Sequence, residues 1–228
     1  MTDLAEILEI MEDTLKSNKF LRSTALDELQ KHEEGNPFKV LIGTILSSRT
    51  RDEHTTKALI KLFTKYKGSQ EIADADITDI KEMISSVGFH NTKAKRIKEV
   101  SNIINKQYYG KTPNNTEDLL ELPGVGRKTA NCVLVYGYKI PAIPVDTHVH
   151  RICNRLGIVK TKDPYDTEEE LSKILDQKHW IKLNSTIVRY GQNICLPIQP
   201  HCELCKLKEN CNYYKEKLAN SSLKQFRK

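Results

Sequence analysis

Apolar residues recur at helical spacing along most of the chain. Leu4, Ile7, Leu8 and Met11 form one stripe, and Ala58, Leu59, Leu62, Phe63 and Tyr66 a second. Ile97, Val100, Ile103 and Ile104 form a third, and Leu171, Ile174 and Leu175 a fourth. Spacings of three and four put each set on one helix face, and each stripe is expected to pack into a core. No period-two segment is bounded by a hairpin turn. Ile140 to Val145 is apolar, but Pro141 and Pro144 make it a connector rather than a strand. The pattern predicts an all-α protein.

Turn residues divide these helices. Gly35-Asn36-Pro37 closes an opening segment, and Lys67-Gly68-Ser69 closes the long helix that follows. Gly110 to Asn115 precedes a short helix over Thr116–Leu122, with Asn114 and Glu117 spaced as a capping box. From about Lys215 the sequence turns polar and basic and is expected to fray.

Composition narrows the class. The 228 residues suffice for one large domain or two small ones, and 38% of them are hydrophobic. Mean hydropathy is −0.54, and no run approaches the ~18 apolar residues of a membrane span. The amino-terminal stretch MTDLAEILEIMEDTL contains acids and lacks the basic start and cleavage site of a signal peptide. A cytoplasmic protein without membrane contact is therefore expected, associated with the nucleoid if the source is prokaryotic. The net charge of +6 suits a polyanionic partner.

Candidate chemistry begins at Leu122-Pro123-Gly124-Val125-Gly126-Arg127-Lys128. A short helix ends before Pro123, two glycines allow a tight turn, and a new helix starts near Arg127. Backbone N–H groups of Gly124, Val125 and Gly126 then point outward beside a positive helix terminus, a geometry that suits a phosphate oxygen. A plain turn between packed helices is the alternative. Lys128 falls in the first turn of the second helix, where the helix dipole and partial burial both favour its neutral, nucleophilic form. In Val145-Asp146-Thr147-His148, Asp146 stands where a helix begins and is expected to cap it.

Near the carboxyl end Cys195, Cys202, Cys205 and Cys211 follow C-x6-C-x2-C-x5-C. Four thiolates in a compact loop hold either zinc or an iron–sulfur cube. Cys132 and Cys153 fall within predicted helices and read as buried small residues. Lys206 and Lys208 are candidate phosphate contacts. Leu196 to His201 contains no lysine or arginine, and His201 is expected beside a ligand or exposed.

The segment LPGVGRKTA resembles the hairpin of the helix-hairpin-helix DNA glycosylases. Together with VDTH and the cysteine spacing it resembles the endonuclease III family, from about Asn36 to Cys211. That resemblance implies two helical domains: a six-helix barrel over about 30–139, and an iron–sulfur domain built from 1–29 and 140–228. It implies a [4Fe–4S] cluster on the four cysteines and a partner of double-stranded DNA with damaged bases or abasic sites, met as a monomer. It implies removal of oxidised or ring-saturated pyrimidines followed by β-elimination through a Lys128 Schiff base, assisted by Asp146.

Such chemistry needs the nucleotide flipped out of the stack. Ser47-Ser48-Arg49-Thr50 and Val87-Gly88-Phe89-His90 resemble the family's two wedge loops, with Arg49 standing where the family places a glutamine. An arginine can donate twice to guanine, so Arg49 is expected to favour lesions opposite guanine. Taken singly, Arg49 reads as a solvated loop residue and Phe89 as a core aromatic. A monofunctional mismatch glycosylase, or a non-catalytic hairpin module that clamps phosphate, are the competing readings.

Overall fold

A computed structural model describes residues 3–18 and 35–225, with side chains described as far as 219. Among these residues every regular element is helical, and no helix is long and apolar enough to cross a membrane. The chain divides into two compact units. Among described residues, one holds 3–18 and 145–225, the other 35–144. The domain boundary expected at residues 29 and 30 lies outside the described residues.

The first helix, α1 (Leu4–Ser17), belongs with the carboxyl-terminal half of the chain. The unit of residues 35–144 opens with α2 (Pro37–Ser47), whose Asn36 cap accepts from Lys39 N at 3.2 Å while Pro37 presets the first turn. Then follow α3 (Asp52–Lys65), α4 (Ser69–Asp74), α5 (Ile77–Met83) and the long α6 (His90–Tyr108). α7 (Thr116–Leu120) and α8 (Arg127–Cys132) flank the glycine turn, and α8 continues into a π-helical segment, Val133–Tyr138. The apolar stripes of α3 and α6 are buried as their spacing predicts, except that Ile103 is half-buried.

Close backbone approach explains two glycines in this unit. A Cβ on Gly137 would lie 2.8 Å from Pro37 Cα, and one on Gly35, at φ +70°, would lie 2.8 Å from Tyr136 O. The π segment packs against α2. Asn131 Nδ2 donates to Ile143 O at 3.1 Å, holding the proline-containing connector, which has no regular structure.

The other unit contains α1 together with α9 (Thr147–Leu156), α10 (Pro164–Ile174), α11 (Trp180–Asn193) and α12 (Asn212–Gln225). α11 packs against both α1 and α9. Met11 and Leu15 are fully buried, and each such side chain contributes about 1.5–3 kcal/mol. Glu12 joins the two ends of the chain: its Oε1 accepts from Thr186 Oγ1 and Arg189 Nη2, both at 2.5 Å. Burial pushes the Glu12 carboxyl up, but those donors outweigh it and hold the pKa below the usual carboxylate value.

Some expectations require correction. The capping residue of α7 is Asn115, which accepts from Asp118 N at 2.8 Å; Asn114 and Glu117 lie one residue too early. α7 also ends at Leu120 rather than Leu122, because the chain must turn before Pro123. The polar run from Lys215 belongs to α12, where Tyr213 lies under the Arg155 guanidinium at 4.3 Å and the helix continues through good helix formers. In α10 the stripe is broken as well, since Ile174 is 49% exposed while Leu171 and Leu175 are buried.

Candidate active site and metal centre

The glycine turn is built from the residues between α7 and α8. Val125 N bonds back to Leu122 O at 3.0 Å, so its N–H closes the turn instead of pointing outward as expected, and both side chains are buried beneath the turn. Gly124 has φ +77°, and a Cβ there would lie 2.2 Å from Arg96 Cδ. Only glycine fits this backbone next to that side chain. Gly126 caps α8 from an extended conformation and supplies no capping side chain, and no atom lies within 4 Å of where its Cβ would be. The outer face of Gly126 is open. Lys128 sits half-buried in the first turn of α8, which contains no acidic residue.

Asp146 belongs to the other unit, as the N-cap of α9. Its Oδ1 accepts from His148 N and Val149 N, each at 2.9 Å, which leaves Oδ2 outside these cap bonds. The same helix sends two guanidinium groups toward the cysteine loop. Arg151 Nη2 donates to Gly191 O at 3.3 Å and Cys195 O at 2.9 Å. Arg155 donates to Leu196 O and Pro197 O, both at 2.7 Å, and its Nη1 is 3.5 Å from Cys195 Sγ. The stretch from Leu196 to His201, which has no lysine or arginine of its own, is thus met by the Arg155 guanidinium, and Cys195 just before it by that of Arg151, both from α9.

Cys195, Cys202, Cys205 and Cys211 line one small cavity, together with Tyr190, Pro200, His201 and Lys208 among others. Tyr190 Oη donates to Cys205 Sγ at 3.1 Å, and Cys211 Sγ lies 3.3 Å from Arg155 O. Burial pushes the Cys202 and Cys211 thiols up, so thiolates there require a positive counterpart. Among the described residues no three His, Cys, Asp or Glu side chains converge closely enough to hold a single metal ion. By its chemistry, a set of four cysteine sulfurs suits either zinc or an iron–sulfur cube. Cys132 and Cys153 stand apart in helix cores, and burial pushes the Cys153 thiol up to about 12, where it is inert.

The remaining candidate residues divide. Arg49 is exposed at φ +52°, and Phe89 is 65% exposed at φ +57°. Left-handed backbone at a non-glycine residue costs about 1–3 kcal/mol and persists where the surroundings enforce it. Phe89 is therefore no core aromatic. The structure brings their loops together, because a Cβ on Gly88 would lie 3.0 Å from Arg49 O. Lys206 Nζ is paired with Asp13 Oδ2 at 2.5 Å on the surface, and Lys208 lies beside the cysteine cavity. His201 is exposed, with Nδ1 3.2 Å from Glu203 Oε1.

Arg151, Arg155, Tyr190 and Lys93 were not singled out by their sequence context. The spacing of Arg151 and Arg155, four apart on the helix that Asp146 caps, was the available signal for the first two.

The sequence model of the family described as HhH-GPD superfamily base excision DNA repair protein matches residues 42–177. The chain is 50% identical to endonuclease III of Thermotoga maritima over 188 residues, covering 82% of this chain and 88% of that protein. A solved non-covalent endonuclease III–DNA complex superposes with a TM-score of 0.82 at 29% identity, covering 96% of this chain and 100% of the other. A trapped endonuclease III–DNA covalent intermediate with an estranged adenine superposes with a TM-score of 0.77 at 31% identity, covering 85% and 95%.

Proposed function

The chain belongs to the endonuclease III family, within the HhH-GPD superfamily of base-excision DNA repair proteins, and on that footing we propose that it is a DNA glycosylase with abasic-site lyase activity. Its substrate is duplex DNA carrying an oxidised or ring-saturated pyrimidine. The observation that carries the reading is the half-buried Lys128 in the first turn of α8, directly after the Gly124–Gly126 turn.

Neutral Lys128 Nζ attacks C1′ of the extruded nucleotide, and the glycosidic bond breaks with its electron pair leaving on the base. The attached nitrogen gives up one proton, O4′ takes one as the sugar ring opens, and a protonated Schiff base remains. Loss of a C2′ proton then expels the 3′ phosphate, which is β-elimination. Asp146 is the carboxylate that the family's pattern assigns to stabilising positive charge as it develops on the sugar. The open Gly126 surface supports a phosphate contact by the turn. Exposed Phe89 and Arg49 support insertion into the duplex, with Arg49 donating to the orphaned base.

Cys195, Cys202, Cys205 and Cys211 would hold a [4Fe–4S] cluster. The spacing C-x6-C-x2-C-x5-C, with one close cysteine pair rather than two, and membership of the endonuclease III family favour the cube over zinc. When bound, the group supplies a cross-link and positive charge that lets the buried sulfurs remain thiolates.

The test incubates the protein with duplexes carrying thymine glycol or an abasic site, in the presence of borohydride. A covalent protein–DNA adduct is expected with the wild type and none with Lys128→Gln. A wild type that cleaves neither substrate and yields no adduct overturns the reading.

A further inference from the structure

Lys93 is 6% exposed although it carries a charge, and its surroundings account for every proton of its ammonium group. Nζ lies 2.7 Å from Leu46 O, 2.6 Å from Ser48 O and 2.9 Å from Thr50 Oγ1. Three acceptors match three donors. Leu46 and Ser48 stand at the carboxyl end of α2, where carbonyls lack helical partners. The third acceptor leads onward, because Thr50 Oγ1 also accepts from Gly88 N at 3.1 Å. Lys93 itself sits one turn into α6, with its backbone N bonded to Phe89 O at 3.0 Å. A second tie, Ser86 Oγ to His54 O at 3.0 Å, lies alongside.

These bonds form a closed frame. Arg49 is flanked by two residues that Lys93 grips, Ser48 and Thr50, and Phe89 is flanked by Gly88 and the helix from which Lys93 projects. Both tips have left-handed backbone, a conformation that needs enforcement. An exposed lysine would suffice to cap α2; a buried one that spans both loops does more than end a helix. Lys98, on the same α6, offers a contrast: its Nζ holds Ala73 O and Ala75 O at 2.7 and 2.5 Å, with neither tip involved.

We infer that Lys93 is a positioning residue for base extrusion, fastening the Arg49 loop to the Phe89 loop so that the two act as one rigid wedge. The inference rests on the reading of those loops as the parts that enter DNA. It adds that their effect depends on being joined, and that the joint is a side chain that touches no DNA.

The test compares the wild type with Lys93→Met, Thr50→Val and Lys98→Met. One substrate is a duplex with an abasic site opposite 2-aminopurine, whose fluorescence reports disruption of stacking. The other has the abasic sugar opposite a one-nucleotide gap, so that no partner base needs holding. Misplacement of about 1 Å can cost on the order of 100-fold in rate. Lys93→Met and Thr50→Val are expected to lose at least tenfold in the fluorescence-linked step and in cleavage of the intact duplex, while staying within about twofold of wild type on the gapped one. Lys98→Met is expected to match wild type on both. Equal losses on both substrates, or no loss on the intact duplex, overturn the inference. If Lys93→Met does not fold, the same two outcomes are read from Thr50→Val. Failure of the functional reading looks different, since the wild type would then cleave neither substrate.

Discussion

The Tyr190 hydroxyl donates to Sγ of Cys205 across 3.1 Å, from a ring that is fully buried. With a cluster on the four cysteines, this bond withdraws charge from one ligand sulfur and raises the reduction potential. Tyr190→Phe keeps the ring and removes the donor. Iron content should be unchanged, the potential should move negative, and unfolding in urea should show a loss of about 1 kcal/mol. An unaltered potential would show that the bond does not survive metal loading.

The two glycines of the turn should respond differently to a methyl group. Gly124→Ala meets a left-handed backbone and the Arg96 side chain, so it should lower stability by about 1–2 kcal/mol and weaken DNA binding as well. Gly126→Ala meets no atom within 4 Å, so its melting temperature should match the wild type. Its affinity for an abasic duplex should nevertheless fall, because the methyl occupies the surface a phosphate would approach. Unchanged affinity in Gly126→Ala would remove the turn from the DNA contact.

Asp146 has two separable tasks. Asn is as good a helix cap as Asp, so Asp146→Asn should keep its stability while base excision collapses. Asp146→Ala should lose excision and, in addition, about 1 kcal/mol from the cap it no longer provides. Excision by Asp146→Asn at the wild-type rate would leave the residue with its cap alone.

What the sequence made legible was local. Stripes at three- and four-residue spacing marked the helices, Pro141 and Pro144 marked the connector, and the glycine pair marked the turn, because each signal lies within a few residues of its effect. The cap of α7 was misplaced by one residue, because Glu117 and Asp118 put an acid three positions after both Asn114 and Asn115 and the local pattern could not choose between them. The π segment was hidden, since Val133–Tyr138 reads like any apolar helix and its register depends on contact with α2. Lys93 was hidden for a different reason. Its three acceptors lie 43 to 47 residues away, and among many lysines nothing local distinguishes a buried one.

Lys93 also carries a pH signature. Burial lowers its pKa to about 8, against about 10.4 for lysine in an unfolded chain. Between those values the unfolded chain holds a proton that the folded one has released, so this group makes stability rise with pH across that window. Below about 8 the folded chain is protonated too, and the full cost of burying the charge is felt. Urea unfolding should therefore show the wild type gaining on Lys93→Met between about pH 8 and pH 10. A constant difference would mean that the three oxygens hold the ammonium charged throughout.

Glu12 meets Thr186 and Arg189 across 174 and 177 positions of sequence. During synthesis, a helix made first must therefore wait for partners made near the end. Residues 35–144 can complete their own packing while the rest is still being translated, because their contacts are nearer in the chain. The unit that carries the four spaced cysteines has no such head start. If the four cysteines hold the proposed cluster, its loading must await Cys211, the last of them, which is made after α11 has supplied Thr186 and Arg189 to Glu12.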